Sequence, residues 1–228
     1  MISQTTMSQA PSIQNRVLSG HQQTALNLMR KKFHPELSQH PPIDTCGLRL
    51  DDACFLRYLT ARSFDFTKAS NLLMSTIKWR HEFDIKGMYN NSPDWVEAIQ
   101  NQAGYGVYYS RGYDKEGHLL YYEHSKNRVH HNHDQALKYL VYLVERNIYT
   151  MENTTGQEKV TMIANYEGFG MNNMAPCKTI KEAVNILQNY YPERLFMAYI
   201  INPPWAFNAI WTMISPFLDQ VTKAKVIV

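Results

Sequence analysis

The residues of this 228-residue chain that could carry chemistry are few, and most of them sit at spacings that do little. The densest group is His130-His131-Asn132-His133, with His124 shortly before it. Those spacings match no closed zinc site, and the run falls between an extended and a helical segment, so it reads as a solvated loop. Cys46, Cys54 and Cys177 are odd in number and form no CxxC pair, which predicts neither a disulfide framework nor a zinc knuckle and points to a reducing compartment. Gly104-x-Gly106 has no helix after it to turn an N-terminus toward a phosphate. No nucleophile stands at motif spacing from a base.

The remaining chemistry is hydrophobic. From Leu195 to Leu218 the chain runs 24 residues without a charge, long enough on paper to cross ~30 Å of hydrocarbon. Pro203 and Pro204 divide that run into a strand-like half and a helix-like half, each too short to span. On a helix from Trp205 to Asp219, the residues Asn208, Thr212, Ser215 and Asp219 would form one narrow polar stripe. Phe207, Ile210, Trp211, Met213, Ile214, Phe217 and Leu218 would wrap around the rest. Such a helix is either buried on both sides or faces a greasy cavity and, at times, a membrane.

Elements on either side must position that unit. Ala25, Leu28, Met29 and Lys32 recur at helical spacing between Ser19 and Phe33, and His34 to Pro42, with three prolines, is a connector. Asp51 and Asp52 can cap a second helix running to Thr60, and Thr67 a third with Leu72, Leu73, Thr76 and Ile77 facing inward. Val107 to Ser110 and His118 to Glu123 flank the turn Gly112 to Gly117 and predict a hairpin. Asp134 can cap a long helix bearing Leu137, Leu140, Val141, Val144, Ile148 and Met151. Val160 to Ala164, Leu195 to Ile201 and Lys225 to Val228 read as strands covered on both sides. Helices near Thr179 to Asn189 and Trp205 to Phe217 separate them, which is the grammar of a parallel sheet with right-handed crossovers.

Composition narrows the classes of partner. Lys+Arg 23 against Asp+Glu 20 leaves +3, too little basic excess for a nucleic-acid binder. Hydrophobic residues at 44% and charged residues at 19% describe a chain that folds around a core. Met1 to Ser12 are polar and lack the apolar stretch of a secretory signal, so a disordered start is expected.

Five blocks in order complete the reading. Asp51-Asp52-Ala53-Cys54-Phe55-Leu56-Arg57-Tyr58-Leu59-Thr60-Ala61-Arg62-Ser63-Phe64-Asp65, followed by Lys78-Trp79-Arg80, resembles the N-terminal helical segment of the CRAL-TRIO lipid-binding proteins. Asp114-Lys115-Glu116-Gly117, Tyr191-Pro192-Glu193-Arg194, Ile201-Asn202-Pro203-Pro204-Trp205-Ala206-Phe207 and Pro216-Phe217-Leu218-Asp219 with Thr222 and Lys225 continue the match in family order. The resemblance covers roughly three quarters of the chain.

The resemblance implies an α/β fold: residues 1–18 disordered, 19–88 an N-terminal helical subdomain, and 89–228 a mostly parallel sheet flanked by helices around an apolar lipid pocket. Relatives continue past the position of Val228 with another helix and strand. It implies a non-enzymatic carrier, nearest to the secretory phosphatidylinositol/phosphatidylcholine transfer proteins, closed by a mobile helix matching Pro204 to Phe217. Carried over residue by residue, the head group of phosphatidylinositol would meet Arg62, Glu193, Arg194, Thr222 and Lys225. Tyr109, Tyr121, Phe207, Trp211, Ile214 and Phe217 would line the pocket. The positions that hold small hydroxyls in phosphatidylcholine-binding relatives are Gly170, Asn172 and Leu187 here, and an aspartate usual at the end of a strand is Asn165. The implied partners are a phospholipid ligand, with no other cofactor and no metal, and a membrane surface visited transiently from the cytoplasm, at the Golgi or endosomes, by a monomer. A retinoid- or tocopherol-type carrier and a lipid-sensing regulator of a partner enzyme are the alternatives.

Overall fold

The computed structural model describes residues 17–33, 43–128, 132–205 and 207–228. The expected disordered start up to residue 16, the connector 34–42 and two histidines of the run at 130 and 131 lie outside the described residues.

Five helices come first: α1 (Gly20–Phe33), α2 (Asp52–Thr60), α3 (Phe66–Glu82), α4 (Ile85–Tyr89) and α5 (Pro93–Ala103). The Asp51 carboxylate accepts the Cys54 N–H at 2.9 Å and caps α2 as expected. For α3 the cap is Asp65 rather than Thr67; its carboxylate accepts the Lys68 N–H at 3.0 Å. The earlier start lets Phe66 pack, beside Phe64 and Leu72, on a core built from Met29, Phe33, Phe55, Leu59 and Leu73. Helices α4 and α5 were not expected from the sequence. Asp84 caps the first through Gly87, and Ser92-Pro93 opens the second with proline in its first turn, where a missing N–H costs nothing.

The larger part follows as β1 (Tyr108–Tyr113), β2 (Leu119–His124), α6 (His133–Asn153), β3 (Val160–Asn165), α7 (Cys177–Tyr190), β4 (Leu195–Ile201), α8 (Phe207–Ile214), α9 (Gln220–Ala224) and β5 (Val226–Ile227). Asn132, not Asp134, caps α6, its side chain accepting the Asp134 N–H at 2.9 Å. The apolar helix expected to run to Phe217 ends at Ile214: a 3-10 turn spans Ser215–Phe217, because Pro216 disfavours a helical residue before it. Asp219 therefore does not extend the polar stripe. It caps α9, accepting from the Thr222 N–H at 2.7 Å.

The strands form one sheet in the order β1-β2-β3-β4-β5, with β1 antiparallel to β2 and the rest parallel. Strand order follows chain order, and α6 and α7, which cross between these strands, pack on each other over one face. Register places Ser110, Tyr121, Met162, Ala198 and Val226 in one row on that face. There Tyr121 packs with Tyr139 and Leu143 of α6, and the Ser110 hydroxyl donates to Asn147 at 2.7 Å. The opposite face carries the row Tyr109, Tyr122, Ile163, Tyr199 and Ile227, whose members are half-buried to exposed.

Helix α6 is buried on two sides. Leu137 and Val141 face away from the sheet into a second core with Trp79, Ile85, Met88, Trp95, Ile186 and Tyr191, which draws on α3 to α7. Trp79 stacks on Tyr190 with centroids 4.3 Å apart. Within this core the Arg80 guanidinium meets the Glu145 carboxylate at 2.5 Å, and the Tyr191 and Tyr89 hydroxyls donate to the same carboxylate at 2.6 and 2.7 Å. The helical subdomain boundary expected after residue 88 falls inside α4, within this shared core.

Candidate functional site

Charged side chains collect where three parallel strands begin. Glu158-Lys159 immediately precede β3, Glu193-Arg194 immediately precede β4, and Lys225 immediately precedes β5. Because Val160 pairs with Leu195, the two charged pairs lie side by side. The Glu193 carboxylate takes Lys159 at 3.1 Å and Lys225 at 3.6 Å. Glu193 itself has φ 59, a left-handed conformation rare for a residue with a side chain.

Beside it, Arg57 of α2 is ion-paired with Glu158. Arg194 donates to the Glu158 carbonyl at 3.0 Å, and that is its hydrogen bond among the described residues. Burial, with the Arg57 charge next in weight, holds the Arg194 guanidinium down to about 10. One Glu158 carboxylate oxygen is buried with no hydrogen-bond partner among the described residues. Four cations thus face two carboxylates, and a guanidinium with five N–H donors spends one of them on a carbonyl. Such a site has the charge and the donors to hold a phosphate.

Of the expected head-group residues, the structure brings Glu193, Arg194 and Lys225 together. Thr222 lies one turn away on α9: its hydroxyl donates to Asp219 at 2.9 Å, and its carbonyl accepts the Lys225 N–H at 3.1 Å. Arg62, just past the end of α2, donates to the Ala61 carbonyl at 2.8 Å, and no hydrogen bond or ion pair among the described residues joins it to the cluster. Arg57, Glu158 and Lys159 were missed by the sequence reading. The signal for Glu158 and Lys159 was a charged pair immediately before a parallel strand, matching Glu193-Arg194 before the next; Arg57, on α2, had none.

The expected pocket residues divide. Tyr121 is buried and stacks on Tyr108, while Tyr109 points to the opposite face, stacks on Tyr122 with centroids 5.0 Å apart and shares a 3.0 Å hydrogen bond with His124. Tyr109 and Tyr121 therefore cannot line one pocket from adjacent strands; Ser110 is the residue that pairs with Tyr121. On α8, Phe207 packs edge-on to Tyr166 and stacks with Trp211, and Trp211 and Ile214 are half-buried. Phe217 lies beyond the helix, under the Lys181 ammonium. Ile210 is the buried residue of α8, and Trp205 before it is 96% exposed. This apolar helix is therefore not buried on both sides. Among the described residues no helix is long and apolar enough to cross a membrane.

Of the histidine run singled out in the sequence, His133 bonds Thr179 at 2.9 Å and Glu182 at 3.0 Å, and His124 bonds Tyr109.

Residues 103–228 match the CRAL/TRIO domain. A phosphatidylinositol transfer protein of Saccharomyces cerevisiae, PDR17, is 31% identical across 78% of this chain and 52% of its own length. The SEC14 cytosolic factor of Kluyveromyces lactis is 31% identical across 79% of this chain and 64% of its own. The chain thus spans half to two thirds of the length of these relatives. The crystal structure of Sfh5 superposes with a TM-score of 0.70 over 93% of this chain and 81% of that one, at 18% identity, a likeness of fold.

Proposed function

Because the chain belongs to the CRAL/TRIO domain family, we propose that it is a non-enzymatic carrier of phosphatidylinositol, holding the lipid phosphate at the cationic cluster around Arg194. The observation that carries this reading is the imbalance of that cluster: a desolvated guanidinium whose hydrogen bond is to a carbonyl, within a set of four cations and two carboxylates. An anionic head group would supply the missing charge and accept the idle N–H groups. The name of PDR17 as a phosphatidylinositol transfer protein supports the same ligand.

Energetics divide the labour within such a carrier. Two acyl chains, ~30 methylenes, would cost on the order of 25 kcal/mol to place in water. A charge-assisted hydrogen bond nets only about 1.5–3 kcal/mol, so affinity for a lipid must come from apolar surface and choice of head group from the cluster. The cluster lies where β4 starts, and α8 is entered from where β4 ends. Seven residues of strand separate them, roughly 23 Å, enough for acyl chains to run along the sheet. Helix α8, bounded by Pro203-Pro204 and Pro216, would be the moving part, and the exposed Trp205 would enter the bilayer as it opens. The carrier would act from the cytoplasm as a monomer at Golgi or endosomal membranes.

The experiment is transfer of labelled phosphatidylinositol and labelled phosphatidylcholine between vesicles by wild type, Arg194→Met and Thr222→Asp. Both variants should lose phosphatidylinositol transfer while keeping native circular dichroism. Undiminished phosphatidylinositol transfer by both refutes the head-group assignment.

A further inference from the structure

Where the turn before α2 meets the last turn of α3, a second constellation stands unused. Asp44, Cys46 and His81 bring a carboxylate oxygen, a thiol sulfur and an imidazole nitrogen within 4.8 Å of one another. It is not legible in the sequence, since Cys46 and His81, which meet there, are 35 residues apart.

The hydrogen bonds fix which nitrogen is available. His81 Nε2 lies 2.8 Å from the Asp44 carbonyl oxygen, which can only accept, so Nε2 carries the proton and donates. In the neutral ring Nδ1 then keeps its lone pair, and it points at Cys46 Sγ, 3.2 Å away. A ring whose second nitrogen donates to a backbone carbonyl is the usual support for a metal-bound histidine. The turn that carries the other two donors is also held. The Cys46 N–H donates to Asp44 Oδ1 at 3.0 Å, and the Cys46 carbonyl accepts from Arg80 Nε and Nη2 at 3.2 and 2.8 Å.

We propose that Asp44, Cys46 and His81 form a binding site for a zinc-class divalent ion, with one coordination position left open to water. Thiolate, imidazole and carboxylate together are zinc's donor set, whereas calcium and magnesium take oxygen alone. Ligands at ~2.0–2.3 Å on a tetrahedron stand roughly 3.3–3.8 Å apart, so the widest pair here must close by about 1 Å. Binding displaces the thiol proton and leaves the site, with two anions and a dication, neutral. The ion would staple the turn before α2 to the last turn of α3.

The test uses the whole chain, stripped with a chelator and titrated with cobalt and with zinc. One equivalent of cobalt should give a thiolate charge-transfer band with tetrahedral visible bands, zinc should displace it, and zinc should raise the melting temperature. Cys46→Ser and His81→Gln should weaken zinc binding by at least roughly a hundredfold, beyond what loss of an outer-shell partner costs. Cys177→Ser, at an exposed cysteine, should leave it unchanged. Absence of the thiolate band, its survival in Cys46→Ser, or its loss in Cys177→Ser overturns the site. Should Cys46→Ser fail to fold, His81→Gln decides, because that side chain is exposed.

Discussion

Replacing Glu145 with alanine should be among the most damaging single changes in this chain. Its carboxylate is buried with Arg80, and the side chains are 9% and 2% exposed. Removing it strands the guanidinium in the core, which costs about 3–5 kcal/mol. The buried Tyr191 hydroxyl also loses its acceptor, about 1 kcal/mol more, while Tyr89 is exposed enough to find water. The total of about 4–6 kcal/mol is a large part of the 5–15 kcal/mol that holds a typical domain. With an m-value near 3 kcal/mol/M, the urea midpoint should fall by roughly 1.3–2 M. Arg80→Met with Glu145→Leu should recover about half or more of that loss, short of about 2 kcal/mol for the Cys46 carbonyl left without Arg80 and the Tyr191 hydroxyl left without Glu145. A single variant that loses less than about 1 kcal/mol, or a double variant no better than the single, refutes the argument.

The same carboxylate predicts a pH dependence. Burial pushes Glu145 up, but Arg80 and the three hydrogen bonds outweigh it and hold the group below its ordinary 4.5. Its contribution is therefore complete above that value and is lost as pH falls through the folded one, a slope that urea melts of Glu145→Gln should lack. Asp114 behaves alike: its carboxylate takes the Glu116 and His118 N–H groups at 2.9 Å each and the Thr161 hydroxyl at 2.7 Å, so Asp114→Ala should cost about 1–3 kcal/mol by chemical denaturation. Asp51→Ala removes the cap of α2 and should cost about 1 kcal/mol by the same assay. Trp205 and Trp211, kept as the sole tryptophans, should shift their fluorescence on adding anionic vesicles; an unchanged spectrum would speak against the moving helix.

Much of this architecture was readable because apolar runs in a parallel sheet leave little choice. Leu195 to Ile201 forms β4 with the bounds read from sequence, and β3 runs one residue beyond the expected Ala164. Caps were less legible. Asp65 and Thr67 can both cap, as can Asn132 and Asp134, and in each case the earlier residue takes the cap. Helix α5 was hidden by Asn90-Asn91-Ser92-Pro93, which reads as a turn and is also a helix start. The charged cluster was half legible: Glu193, Arg194 and Lys225 came through the resemblance, whereas Arg57, Glu158 and Lys159 needed the strand register that sets them beside the others. Tyr109 and Tyr121 show what spacing alone misses, since an odd offset across a hairpin changes face.

The family match begins at residue 103, yet the second core does not respect that limit. Cutting there would bare Leu137, Val141, Ile186 and Tyr191 and remove Arg80, the ion-pair partner of Glu145. A fragment made to those bounds should aggregate on expression, whereas the helices before it and the sheet after it should melt together in one transition. The boundary at which the family match begins and the boundary at which the polypeptide can be divided are, for this chain, two different places.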